Sequence, residues 1–187
     1  SAPAYQWKVN GINAGSNSPT FSYTPAHGDN ITVELTSNAT CATGSPATST
    51  PIAMTVNPVL PVSISISESV NNVCAGTSVT FTAAGLNGGS NPVYQWKVNG
   101  VNVGANLTSY SYTPLNGDVI TCVLTSNEIC TSGNPATSNT VVMTVNPVLP
   151  VSVAIAASPS GAICAGTSVT FTATPTNPGT TPVYQWK

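Results

Sequence analysis

The chain has 187 residues, only 4% of them charged, and a formal net charge of −2 with three lysines and no arginine. Because nucleic-acid binding depends on clustered cations that neutralise phosphates, this composition argues against a nucleic-acid partner. No apolar run approaches the roughly 18 residues that a membrane-spanning helix needs. The N-terminus lacks the charged-then-apolar pattern of a secretion signal, so we expect any such signal to lie outside this segment.

The sequence repeats at intervals of about 90 residues. The phrase Tyr-Gln-Trp-Lys contains Trp7, Trp96 and Trp186 in turn, and residues 75–83 recur letter for letter at 165–173. A unit of this length suits one β-sandwich domain. We therefore expect a window on a longer array of similar domains.

The motif Pro-Val-Leu-Pro marks the boundaries between units, at residues 58–61 and 147–150. Two prolines interrupt sheet pairing and stiffen a connection. The phasing predicts three parts: the back of one repeat (1–58, the first repeat), a complete repeat (59–147, the middle repeat) and the front of another (148–187, the third repeat). Since the front and back parts together make one domain, the phasing also raises the hypothesis that separate chains associate head to tail.

Alternation of apolar and polar residues predicts about seven strands in the middle repeat. The predicted strands cover Val62–Ser67, Ser78–Ala83, Val93–Val98, Val101–Val103, Ser109–Tyr112, Ile120–Leu124 and Val141–Val145. Asn99-Gly100 is typical of a two-residue hairpin turn with positive φ at both positions. Strands of this number and spacing predict an all-β fold, a sandwich of two sheets.

The middle repeat resembles the immunoglobulin pattern. Ala83 stands where the first core cysteine of such domains falls, Trp96 where they bury a tryptophan, and Cys122 at the second cysteine position. Without a partner at Ala83, Cys122 is expected to be a small buried residue rather than half of a disulfide. The residues expected in the core include Trp7, Trp96, Trp186, Phe81 and Cys122.

The other four cysteines are disulfide candidates in an extracellular chain. A bridge between Cys74 and Cys130 is the first choice. A bridge between neighbouring repeats is the competing idea, and reduced thiols are the third. Under the first two ideas Cys41 and Cys164 have partners outside the segment. Zinc is not expected, because no Cys-x-x-Cys pair is present and the chain has one histidine.

No constellation in the sequence indicates catalysis. His27 is expected to be a solvated turn residue, and Asp29 and Asp118 are expected to cap backbone groups in equivalent turns. Tyr110 and Tyr112 could form a sugar-binding patch, but core packing is the preferred interpretation. We expect no enzyme activity, no cofactor and no bound metal.

Three motifs together resemble a known family: Cys-Ala-Gly-Thr-Ser-Val-Thr-Phe-Thr-Ala, Tyr-Gln-Trp-Lys-Val-Asn-Gly and Asn-Gly-Asp-Val-Ile-Thr-Cys-Val-Leu-Thr-Ser. They are similar to the tandem Ig-like and PKD-like repeats of very large type IX-secreted surface proteins of Bacteroidetes, including gliding-motility adhesins. The resemblance implies an extracellular, cell-surface location and a stalk or filament role in an adhesin.

Two other functions stay open, a carbohydrate-binding module and a spacer in a secreted multidomain enzyme. The expected partners are neighbouring repeats of the same chain, other copies in a fibre, and a surface polysaccharide or glycan.

Overall fold

The structure is a computed structural model that describes residues 2–187. In this range the chain forms β-strands and no helix. In chain order the strands are β1 (Ala4–Val9), β2 (Ile12–Ala14), β3 (Asn30–Thr36), β4 (Ala47–Thr48), β5 (Ile52–Ala53), β6 (Leu60–Pro61), β7 (Ser63–Glu68), β8 (Val73–Cys74), β9 (Val79–Leu86), β10 (Val93–Val98), β11 (Val101–Val103), β12 (Ser109–Tyr112), β13 (Val119–Thr125), β14 (Thr131–Ser132), β15 (Ala136–Thr137), β16 (Val141–Val142), β17 (Val145–Asn146), β18 (Ser152–Ser158) and β19 (Thr170–Thr176).

The chain divides into two compact units. One contains the residues up to Pro61 together with Glu128–Ser132, and the other contains Val62–Asn127 and Gly133–Lys187. The short loop 128–132 belongs with the first unit because β14 pairs in parallel with β6.

The second unit contains a sandwich of two antiparallel sheets. One sheet has the order β12-β9-β7, and the other has the order β11-β10-β13, with β15 and β16 both paired to β13. Alternate side chains from the two sheets meet in one core, in which the fully buried large residues are Val79, Phe81, Trp96, Ile120, Leu124 and Met143. The prediction of an all-β, immunoglobulin-like sandwich is confirmed.

The last predicted strand of the middle repeat is divided in two. Val141–Val142 pairs with β13, whereas Val145–Asn146 pairs in parallel with β8. The chain breaks its ladder because it changes partners between these points, and an apolar pattern does not reveal which neighbour a strand pairs with.

Asparagine side chains join the two sheets of the sandwich at an edge. The Asn139 amide donates to the Ile66 carbonyl at 3.0 Å, and its oxygen accepts from the Ile66 backbone N–H at 2.8 Å. The Asn71 amide likewise donates to the Val142 carbonyl at 3.0 Å, and its oxygen accepts from the Thr144 backbone N–H at 2.9 Å. These bonds satisfy edge groups that would otherwise need water or another strand.

The hairpin predicted at Asn99-Gly100 is confirmed. Their φ angles are 52° and 80°, and β10 and β11 pair directly across the turn. Asn10 and Gly11 have the same two φ values in the first repeat.

Gly104 is a second position where the backbone requires glycine. Its φ is +69°, and an added Cβ would lie 2.9 Å from the Tyr110 ring, whereas Gly100 (φ +80°) has open space at that position. We expect Gly100→Ala to destabilise the middle repeat by about 1 kcal/mol through the backbone alone. Gly104→Ala should cost roughly 1–3 kcal/mol more because of the added overpacking. Urea unfolding of the two variants tests this, and equal losses would contradict the contact with Tyr110.

The sheet of the first unit has the order β2-β1-β3, with β4 and β5 paired to β3. One of its faces borders an apolar groove of about 330 Å³ whose lining includes Trp7, Phe21, Tyr23, Ile31, Ile52 and Met54. Trp7, expected in the core, is only half-buried here. Ile52 is 65% exposed, whereas its equivalent in the middle repeat, Val141, is 6% exposed. We call these groove residues the open face.

Strands β18 and β19 form a two-stranded sheet, here called the C-terminal hairpin. Residues 182–187 contain no strand. The expectation that Trp186 lies in a core is wrong for this structure, because the side chain is 54% exposed. Trp96 is buried by two facing sheets, whereas Trp186 lies in a segment without strand partners.

Candidate functional site

The Asp118 carboxylate lies in the turn before β13 and accepts three hydrogen bonds. Its Oδ2 accepts from the Leu115 backbone N–H at 2.8 Å and from the Tyr112 hydroxyl at 3.1 Å. Its Oδ1 accepts from the Asn99 side-chain amide at 2.8 Å, and the Asn99 oxygen accepts from the Val119 N–H at 2.9 Å. Asp118 therefore links its own turn to the β10–β11 hairpin turn, and its expected capping role is confirmed.

Burial and hydrogen bonding determine the ionisation states of Asp118 and Tyr112. Burial opposes ionisation of Asp118, but the hydrogen bonds from Leu115, Asn99 and Tyr112 together lower its pKa below the usual aspartate value. Burial first, and then the Asp118 charge, raise the Tyr112 pKa far above that of a free phenol. At neutral pH the pair is a carboxylate and a neutral phenol. Neither group is poised to exchange protons near pH 7, which general acid–base catalysis requires.

The same cluster recurs in the first repeat. Asp29 accepts from the Ala26 N–H at 2.8 Å, from the Asn10 amide at 2.8 Å and from the Tyr23 hydroxyl at 3.2 Å. The Ala26 and Asn10 hydrogen bonds are the main causes that lower the Asp29 pKa. A recurring, internally satisfied triad of aspartate, asparagine and tyrosine is a structural feature of the repeat.

His27 is an exposed turn residue whose Nδ1 accepts from the Val56 backbone N–H at 3.2 Å. Asn116 holds the equivalent position of the middle repeat, where its side-chain oxygen accepts from Val145 N–H at 2.9 Å. An imidazole and an amide thus satisfy the same backbone donor. This exchange fits the expected role of His27 in a solvated turn.

The aromatic side chains of the middle repeat form a continuous row. Tyr110 lies 6.1 Å from Trp96 and 5.3 Å from Tyr112, and Tyr112 lies 5.8 Å from Phe81, measured between ring centroids. The two tyrosines are half-buried and pack against the core. The Trp96 indole N–H donates to the Leu107 carbonyl at 2.9 Å. These aromatic faces are used in packing, in agreement with the preferred interpretation of Tyr110 and Tyr112.

The four cysteines considered as disulfide candidates, Cys41, Cys74, Cys130 and Cys164, are exposed free thiols in the structure. Cys74 pairs with Asn146 in the second unit, and the Cys130 carbonyl accepts from Leu60 N–H in the first. The Cys74–Cys130 bridge therefore stays a prediction, to be tested by peptide mapping without reduction.

Cys122 is fully buried and lies directly opposite Trp96 in the β10–β13 ladder. Burial raises the pKa of its thiol to about 11. Because the thiolate is the nucleophile, the buried thiol is expected to be inert.

In fully reduced native protein we expect a disulfide reagent to label the four exposed thiols quickly at pH 8 and Cys122 only in denaturant. Cys122→Val, which copies Val33 of the first repeat, should remove the denaturant-dependent label and leave the fast phase unchanged. Fast labelling of all five thiols in native protein would show that the core around Trp96 is open.

Residues 2–187 contain no group of three or more histidine, cysteine or acidic side chains placed to hold a metal ion. The same residues include no helix with the length and hydropathy to cross a membrane.

The partners of Asp118 are not predicted from the sequence, in which Asn99 indicates a turn and Tyr112 indicates core packing or a sugar-binding patch. The signal was present: Asn10, Tyr23 and Asp29 recur at the same spacing as Asn99, Tyr112 and Asp118. Three polar residues that recur together indicate a shared contact more strongly than any one of them does.

No protein-family model matches the chain, and no curated protein matches it in sequence. Among solved structures the chain is similar to one described as "Structural basis for Dscam isoform specificity", with 11% sequence identity and a TM-score of 0.36. The alignment covers 78% of this chain and 38% of that one, so this chain spans well under half the length of the other. The fold description rests on the strand pairing given above.

Proposed function

We propose that the chain is a non-catalytic structural segment, part of the stalk or filament of a large secreted cell-surface adhesin. The observation that carries the proposal is the repetition of the same internal contacts in successive repeats. The Asp–Asn–Tyr triad and the tryptophan-to-carbonyl hydrogen bond occur at equivalent positions in the first and middle repeats. In a repeat protein each unit contacts only its neighbours, so units with the same internal contacts build an elongated array, as a spacer needs.

The chemistry of the side chains supports a role without catalysis. The carboxylates with shifted pKa, Asp29 and Asp118, have their oxygens occupied by hydrogen bonds from the chain itself. Lys8 forms an ion pair with Glu34 at 2.7 Å. A catalytic constellation needs groups free to contact substrate, and these groups already serve the fold.

Location at the cell surface is part of the same proposal. The resemblance to Ig-like and PKD-like repeats of Bacteroidetes surface proteins supports type IX export and an adhesive parent protein. Sparse charge and abundant threonine and serine are compatible with an extracellular chain. Neighbouring repeats of the same chain are the proposed immediate partners.

A replacement experiment tests the stalk role. In the producing organism, this segment is exchanged for an unrelated immunoglobulin-like array of equal length, and surface display and cell adhesion are measured. A stalk predicts that both are retained. Loss of adhesion with normal display would contradict the proposal and favour the carbohydrate-binding alternative.

A deletion of residues 59–147 gives a second test of the stalk role. It joins Pro58 to Val148, so that the Pro-Val-Leu-Pro motif is regenerated and the repeat phase is unchanged. The stalk role predicts normal export with a shorter reach of the distal epitope from the cell surface. An unchanged reach would contradict a spacer function.

A further inference from the structure

The dipeptide Asn-Gly occurs four times in the chain, at residues 10–11, 87–88, 99–100 and 116–117. Asparagine followed by glycine is the sequence that deamidates fastest without an enzyme, because glycine has no side chain to shield its backbone nitrogen. That nitrogen is the nucleophile, and the side-chain amide of the asparagine is its target. These dipeptides are therefore the positions at which the chain could modify itself.

Deamidation at Asn99-Gly100 would proceed through a five-membered imide ring. A bond forms between the Gly100 nitrogen and the Asn99 side-chain carbon, and the bond from that carbon to Nδ2 breaks. Nδ2 leaves as ammonia and takes the proton of the Gly100 N–H. Water then opens the ring at either carbonyl and leaves an aspartate or an isoaspartate. The only co-reactant is water.

Neither water nor space is limiting at this dipeptide. Asn99 and Gly100 are both exposed in the turn between β10 and β11, and a Cβ added to Gly100 would meet no atom within 4 Å. Burial and crowding therefore do not protect the turn. Any protection comes from the contacts that hold the Asn99 side chain.

Two hydrogen bonds fix the Asn99 side chain. Its Nδ2, the leaving group, donates to Asp118 Oδ1 at 2.8 Å, and its Oδ1 accepts from the Val119 backbone N–H at 2.9 Å. Attack by the Gly100 nitrogen requires the amide to turn towards it, so these hydrogen bonds must break first. The bond to Asp118 is the stronger of the two, because its acceptor is charged.

We propose that Asn99-Gly100 is a latent deamidation site that the Asp118 carboxylate keeps closed. The triad of aspartate, asparagine and tyrosine then protects its own asparagine in addition to joining two turns. This inference rests on the contacts of Asn99 and not on the proposed stalk role.

The first repeat has the same arrangement at Asn10-Gly11. The Asn10 Nδ2 donates to Asp29 Oδ1 at 2.8 Å, and its Oδ1 accepts from the Asn30 N–H at 2.9 Å. Asp29 is therefore the corresponding protecting group for Asn10. Two independent copies of one site in a single chain allow each to serve as the control for the other.

Deamidation of Asn99 would also damage the triad itself. An aspartate at this position has no N–H to donate, and its carboxylate would face Asp118 where the amide now lies at 2.8 Å. Two carboxylates at such a distance repel each other. The modification would therefore weaken the link between the two turns.

Peptide mass spectrometry of the folded 187-residue chain, incubated in mildly alkaline buffer, tests the proposal. Asp118→Ala should deamidate at Asn99 about tenfold faster than wild type or more, because it removes the acceptor that holds the leaving amide. Asn10 and Asn87, which lie outside the Asp118 triad, are internal references and should keep their wild-type rates. The reciprocal variant Asp29→Ala should accelerate Asn10 and leave Asn99 unchanged.

A loss of stability alone can also expose an Asn-Gly dipeptide, so the experiment includes a destabilised variant with an intact triad. Ile66→Ala removes a buried side chain from β7, in the sheet that does not contain Asn99. Under conditions in which urea unfolding shows both variants to be folded, Ile66→Ala should deamidate at Asn99 at close to the wild-type rate. Equal rates at Asn99 in wild type and Asp118→Ala, or an equal acceleration by Ile66→Ala, would overturn the proposal.

Discussion

Replacing Phe81 by alanine is expected to lower the free energy of unfolding of the middle repeat by about 3–5 kcal/mol. The ring is fully buried between the two sheets and packs beside Tyr112, so truncation removes its transfer energy and leaves a cavity. Phe171, its equivalent in the third repeat, is 55% exposed. Phe171→Ala should cost about 1 kcal/mol or less in dilute protein.

Urea unfolding followed by the fluorescence of Trp96 measures the difference between these phenylalanines. With Trp7 and Trp186 both changed to phenylalanine, the Trp96 signal reports the effect of Phe81→Ala on the middle repeat. Far-ultraviolet circular dichroism of the same samples follows all strands, including β18 and β19, and reports the effect of Phe171→Ala. Phe81→Ala should move the midpoint by about 1–3 M, given a slope of about 1–3 kcal/mol per molar urea. Equal shifts for Phe81→Ala and Phe171→Ala would show that the exposure difference between the repeats is not real.

Asp118→Asn is expected to destabilise the middle repeat by about 2–3 kcal/mol at pH 7. The change keeps the shape of the side chain but removes the charge from three hydrogen bonds, and it places an amide group against donors. Hydrogen bonds to charged groups each contribute about 1.5–3 kcal/mol, and part of that is retained by the remaining oxygen. Asp29→Asn is the matched control and should have a smaller effect, because Asp29 is half-buried whereas Asp118 is buried.

The pH dependence of stability gives an independent test of the Asp118 cluster. The folded pKa of Asp118 lies below its unfolded value of about 3.9. Its contribution is therefore fully present above about pH 4 and is lost as the pH falls through the folded pKa. Wild type should lose stability below pH 4 more steeply than Asp118→Asn. Parallel curves for the two proteins would show that the carboxylate does not stabilise the fold.

Strand positions were predictable from the sequence because apolar residues alternate with a period of two along each strand. The turns were predictable because they contain residues that favour turns, such as Asn-Gly. The β10–β11 hairpin follows from Asn99-Gly100, and the burial of Trp96 and Phe81 follows from alternation within their strands. The number and spacing of these strands also predicted a sandwich of two sheets. These features depend on residues close in the sequence, which is why the pattern contains them.

The remaining features depend on distant partners. The parallel pairs β6–β14 and β8–β17 join segments about 70 residues apart, and no local pattern marks them. The exposure of Trp186 has the same origin: its sequence matches that of Trp96, and only the facing strands differ. The Asp118 cluster joins the β10–β11 turn, strand β12 and the turn before β13. Its members were therefore recognisable singly but not as a group.

We predict that residues 59–147 fold as one complete immunoglobulin-like sandwich. The most direct test is solution NMR of the polypeptide 59–147 alone. We predict a dispersed spectrum with contacts from Trp96 to Cys122 across the β10–β13 ladder and from Tyr110 to Phe81 across β12–β9. A random-coil spectrum, or cross-strand contacts shifted by one residue, would contradict the claim.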